Sequence, residues 1–157
     1  MTMTSLDQTA RSHASTTLGV ASGTPVLTLD GALPVEFLTI GDRVLTRAGV
    51  RRLQGIVITV VQNARVVRIA QDTLGINRPE ADLIVTPDQP ILIRDWRAKA
   101  LYGSAIALVP ASRLADGEYI RSEVLAEVRL YSLHFAEDAV IYAGGLELAC
   151  PAECVTA

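Results

Sequence analysis

From Leu18 onward the sequence is a succession of short, β-branched apolar runs, each ended by Gly, Pro, Asp or Asn. No stretch longer than ten residues carries apolar side chains at helical spacing. A chain punctuated in this way has strand faces to bury rather than helical ones. The pattern therefore predicts an all-β sandwich or barrel-like fold. Strands are expected at residues 24–29, 33–38, 43–47, 50–61, 65–70, 83–86, 90–94, 106–109, 119–121, 124–135, 139–142 and 146–150. Asp30-Gly31 between the first two predicts a type I′ hairpin turn, which needs positive φ at both central residues. Pro34 suits a sheet edge or the start of a strand. Residues 71–82 read as a loop, and residues 95–105 as a second loop or a short helical turn.

The chain has 157 residues, enough for one domain with a sizeable core. Residues 1–17 are rich in Ser and Thr and carry few large apolar side chains, which predicts a tail outside a domain of residues 18–157. Inside that domain the sequence echoes itself. Residues 34–44 read PVEFLTIGDRV and residues 110–120 read PASRLADGEYI. Pro34 aligns with Pro110, Leu38 with Leu114, Gly41 with Gly117, Asp42 with Glu118 and Val44 with Ile120. A β domain built by duplication, with pseudo-twofold halves, is the architecture this implies.

The net charge of −3 argues against nucleic acid, which demands a basic face. Charge is uneven: residues 40–100 carry ten Arg and Lys against six acids, and residues 101–157 three Arg against eight acids. Two solvated faces, or one polarised binding surface, would account for this. Apolar runs such as residues 56–61 are strand-sized, so no membrane span is expected. The N-terminus has no apolar core of a signal peptide, and two cysteines make no disulfide framework, so a cytoplasmic setting is expected. No cofactor motif occurs: there is no phosphate loop, nucleophile elbow or zinc-helix signature.

Several residues merit weighing singly. Cys150 and Cys154 offer half a zinc site at best, and read as ordinary thiols or a redox pair. His134, in the apolar run LYSLHF, reads as a packed, hydrogen-bonded histidine, and His13 as a solvated one. Asp82, Asp88 and Asp95 suit turns, or acid–base or metal chemistry. Arg94, Trp96, Arg97 and Tyr102 form an aromatic and cationic group that suits contact with a protein partner, or a loop folded over a barrel mouth.

Two blocks carry a resemblance. GTPVLTLDGALPVEFLTIGDRVLTRAG, residues 23–49, resembles the opening block of Hint domains, the module of Hedgehog autoprocessing domains and inteins. DLIVTPDQPILI, residues 82–93, is similar to that family's second block, where a Thr-x-x-His motif normally sits. The likeness extends over about residues 18–150 and is similar to bacterial Hint variants. It implies an all-β Hint fold of two related subdomains. It also implies a chemistry: an N-terminal nucleophile, usually Cys, attacks the preceding carbonyl, while the Thr and His polarise the amide and protonate its nitrogen.

Carried over position by position, the nucleophile falls on Gly19, the threonine on Thr86 and the histidine on Gln89. Glycine has no nucleophile, and an amide side chain cannot shuttle a proton. Asp88 sits inside the altered motif. The intein C-terminal His-Asn pair is missing from the ending ACPAECVTA. Three readings follow. The first is a degenerate Hint domain, not an enzyme, kept as a scaffold or protein-interaction module. The second is an atypical self-cleaving domain using a hydroxyl such as that of Ser22 or Thr24. The third is an unrelated β module that binds a ligand. Under the first, Gly19→Cys with Gln89→His restores cleavage provided the family's cavity is intact.

Overall fold

The computed structural model describes residues 18–152. The tail expected at residues 1–17, with His13, and Cys154 lie outside the described residues. The strands are β1 (Val20–Ala21), β2 (Pro25–Thr28), β3 (Gly31–Pro34), β4 (Arg43–Thr46), β5 (Gly49–Arg52), β6 (Gly55–Ile69), β7 (Leu83–Val85), β8 (Pro90–Ile93), β9 (Ala107–Pro110), β10 (Ile120–His134), β11 (Ala139–Ala143) and β12 (Leu146–Cys150). One short helix, α1 (Trp96–Tyr102), joins β8 to β9, and 3-10 turns follow β3 (Val35–Phe37) and β9 (Ala111–Leu114). No described helix is long and apolar enough to cross a membrane.

Strands β1, β10, β6 and β7 close a small barrel, and the others form one sheet in the order β3-β2-β4-β11-β12-β8-β9 with β5 paired to β4. The all-β fold expected from the turn punctuation is thus present. Two boundaries differ. Residues 50–61 and 65–70 do not form separate strands divided at Gln62–Ala64. The chain breaks instead between Arg52 and Gly55, and one 15-residue strand runs through Asn63, which takes up φ 50° as a local kink. Likewise residues 119–121 and 124–135 merge into β10, because continuous pairing with β6 spans both.

The first hairpin turn also differs. Thr28 pairs with Gly31, so Leu29 and Asp30 are its central residues, and only Gly31 has positive φ. The Thr28 hydroxyl accepts from the Asp30 amide at 3.0 Å and donates to the Gly31 carbonyl at 2.8 Å, holding the loop without a type I′ turn. Thr46, Ala48 and Gly49 repeat the same arrangement between β4 and β5. The turn with positive φ at both centres is Gly144-Gly145, between β11 and β12.

The pseudo-twofold relation is written in the register. β6 and β10 have equal length and pair end to end, Ile69 with Ile120 and Gly55 with His134. Pro25 faces Pro34, and Pro90 faces Pro110. Each second proline opens a 3-10 turn with the same backbone shape, φ −56° and ψ 140° at Pro34, φ −58° and ψ 139° at Pro110. Val35 donates to the Thr24 carbonyl at 2.8 Å as Ala111 does to that of Gln89 at 3.0 Å. Val20 and Val85, equivalent under the relation, face one another where β1 meets β7.

Packing explains the hydrophobic pattern. The main core includes the fully buried Val26, Val44, Ile69, Ile91, Ile120, Phe135, Leu146 and Leu148. A smaller core inside the ribbon holds Ala64, Val66, Val128 and Leu130. Val66 and Val67 are both buried because β6 passes between the two, one face to each.

Candidate active site

The three positions that the resemblance singled out converge. Gly19 precedes β1, and its carbonyl accepts from the Thr86 amide at 3.1 Å. Gly19 and Gln89 line one cavity of about 20 Å³ together with Leu18, Ser132, Ala149 and Cys150, room for about one water. The convergence follows from the pseudo-symmetry. β1 and β7 meet edge to edge, so the residue before β1 and the residue after β7 become neighbours.

Each position carries its own constraint. Gly19 has φ 153°, and a β-carbon there would lie 2.6 Å from the Tyr131 carbonyl oxygen. Space for a side chain is therefore missing as well as the side chain. Gln89 is buried, and its Nε2 donates to the carbonyls of Ala149 at 2.8 Å and Pro90 at 3.0 Å. Both amide hydrogens are committed to main chain. Thr86 is buried too, and its hydroxyl has no hydrogen-bond partner among the described residues. A buried hydroxyl left without a partner costs about 1–3 kcal/mol.

Cys150 adds a thiol to the cavity wall, but burial pushes its pKa up to about 12. At neutral pH it is a protonated, poor nucleophile. Ser132 lines the same cavity and its hydroxyl lies 3.2 Å from His134 Nε2, while His134 Nδ1 is buried without a partner among the described residues. His134 is thus half-buried, and its imidazole has one hydrogen-bond partner among the described residues.

The remaining candidates lie elsewhere. Ser22 is exposed and lines a separate cavity of about 240 Å³ with Glu80 and Asp82; Thr86 is not on its wall. Thr24 is buried, with its hydroxyl donating to the Ala21 carbonyl at 2.8 Å. Asp88 is exposed beside the site. Asp82 accepts from the Gln71 amide and Asp95 caps α1 by accepting from the Arg97 amide, so both hold turns. Trp96 is 69% exposed with the Arg97 guanidinium stacked 4.8 Å from its ring centre. Arg94 does not join this group, since it pairs with Glu147; Arg113 stacks on Tyr102 instead.

The sequence profile of the Hint domain matches residues 18–151. This chain belongs to the Hint domain family. Solved structures agree on the fold. The solution structure of a bacterial intein-like domain from Clostridium thermocellum is 15% identical, with a TM-score of 0.63 over 86% of this chain and 99% of that one. The TvoVMA intein is 15% identical, with a TM-score of 0.60 over 84% and 96%. The gp41-1 intein is 14% identical, with a TM-score of 0.56 over 85% and 98%. No curated protein matches in sequence. The reading as an unrelated β module falls, because the Hint profile and the Hint backbone cover the same residues.

Sequence reading missed Tyr131 and Ala149, whose main-chain carbonyls shape this site together with that of Pro90. A carbonyl leaves no mark in a sequence, so no signal pointed to them. It also passed over Glu147, whose signal was present: one acid inside the apolar run Leu146–Cys150.

Proposed function

We propose that this Hint domain has lost autoprocessing and serves as a scaffold or protein-interaction module in the cytoplasm. The carrying observation is Gly19, which at the family's nucleophile position has neither a side chain nor room for one. Gln89 supports the same reading, since a committed amide cannot protonate a leaving nitrogen. The orphaned Thr86 hydroxyl supports descent from an active ancestor: it is the kind of group a scissile amide would have answered. The partner face is the exposed side of α1, where Trp96 and Tyr102 present aromatic surface beside Arg97 and Arg113.

The test is the intact mass of the purified protein over several days, with and without thiol or hydroxylamine. A single unchanged species is expected. Fragments ending near residues 19–24 would overturn the proposal. They would favour Ser22 as a hydroxyl nucleophile, a reading supported by its exposure on a roomy cavity, and Ser22→Ala would then abolish the cleavage.

A further inference from the structure

Away from the Hint site, three arginines meet one carboxylate. Glu147 on β12 is buried, with 3% of its side chain exposed. Arg47, just after β4, binds its Oε1 at 2.8 Å. Arg94, just after β8, reaches Oε2 at 2.5 Å, and Arg78 from the 71–82 loop stands 3.7 Å from the same oxygen. One carboxylate balances one of the three arginines, so the group holds two positive charges in surplus. Asp95 does not cancel them, because Arg97 already pairs with it. Among the described residues only Arg47 of the three makes a well-aligned hydrogen bond to Glu147; Arg78 and Arg94 meet it as ion pairs.

Beside these two arginines the surface opens into a cavity of about 140 Å³, lined by Leu74, Arg78, Ile93, Arg94 and Asp95. Leu74 and Ile93 are buried and give it an apolar floor. Glu147 pairs with Arg94, and Arg78 stands near the same carboxylate oxygen, so the two guanidinium groups are gathered at one wall of the cavity before any ligand arrives. Paired guanidinium groups match the oxygens of a tetrahedral dianion in charge and in shape.

The geometry points to a phosphate-binding site between Arg78 and Arg94, taking inorganic phosphate or the phosphate of a small monoester. It stands apart from the Hint site and does not depend on the fate of autoprocessing. Thermal unfolding of the full chain with increasing sodium phosphate, against sodium chloride at matched ionic strength, reads it out. A saturable rise in Tm specific to phosphate is expected. Arg78→Gln, which removes only a 3.7 Å contact to Glu147, should weaken apparent binding at least about tenfold. A parallel titration with AMP separates the sources: tighter binding than phosphate assigns the site to a monoester, equal or weaker binding to the free ion. A rise that never saturates, or one that Arg78→Gln leaves unchanged, overturns the proposal. Should Arg78→Gln not fold, phenylglyoxal modification of the unaltered protein decides: phosphate must protect Arg78 and Arg94, and equal modification with and without it overturns the site.

Discussion

The α-carbon of Gly19 packs against the main chain of Tyr131, so that a β-carbon on it would stand 2.6 Å from the Tyr131 oxygen and 3.0 Å from the carbonyl carbon. Backbone cannot swing aside as a side-chain tip can. Gly19→Ala should therefore destabilise the fold by about 1–3 kcal/mol, read as a lower urea midpoint at unchanged slope. The same overlap means that Gly19→Cys with Gln89→His stays intact in hydroxylamine. Cleavage of that double variant, seen by mass spectrometry, would show that β10 yields where it is held to be rigid.

Gln89 is a tie between β8 and β12 rather than a titrating group. Gln89→Leu leaves the carbonyls of Ala149 and Pro90 without their donor in a buried place. A loss of about 1–3 kcal/mol in chemical denaturation is expected. A neutral outcome would mean that water replaces the amide.

Cys150 should be silent in the native state. Burial pushes its pKa up to about 12 from an ordinary value of 9.0. The native thiol therefore keeps its proton where the unfolded one loses it. The associated stability is fully present below pH 9 and is lost as pH rises toward 12. Iodoacetamide at pH 8 should leave the Cys150 peptide unlabelled until denaturant is added, as peptide mapping would show.

Asp116 gives the opposite pH dependence. Its carboxylate accepts from the amides of Ile120, Glu118 and Tyr119, bonds that hold its pKa below the ordinary 3.8. The charged form is favoured by folding, so this stability is present above about pH 4 and is lost as pH falls through the lowered value. Asp116→Ala should be less stable than the parent at pH 7. The gap should close in strong acid, measured as urea midpoints across pH. A gap independent of pH would assign the role to packing.

Most of the architecture was legible in the sequence, because strand periodicity and turn residues are local. Strands β7, β8, β9, β11 and β12 fall close to where alternation and punctuation placed them. The echo of residues 34–44 in residues 110–120 carries the pseudo-twofold relation, and Pro34 and Pro110 take the same backbone shape in the fold. The hairpin at Thr28–Gly31 departs from a type I′ turn because Asp-Gly is compatible with more than one turn. Its form was decided by the Thr28 hydroxyl bridging the loop.

Residue types and turn punctuation alone imply an all-β chain with related halves, and the resemblance carried over from two sequence blocks puts Gly19 and Gln89 at the positions of a nucleophile and a histidine. Those are statements about residue type and local pattern. That Gly19 has no room for a side chain, that both hydrogens of the Gln89 amide are taken, and that Arg47, Arg78 and Arg94 gather on Glu147 are facts of packing. Each of these depends on main-chain oxygens or on charges brought together from distant parts of the chain. Contacts of that kind are set by how strands stack and cross, which no single stretch of sequence records.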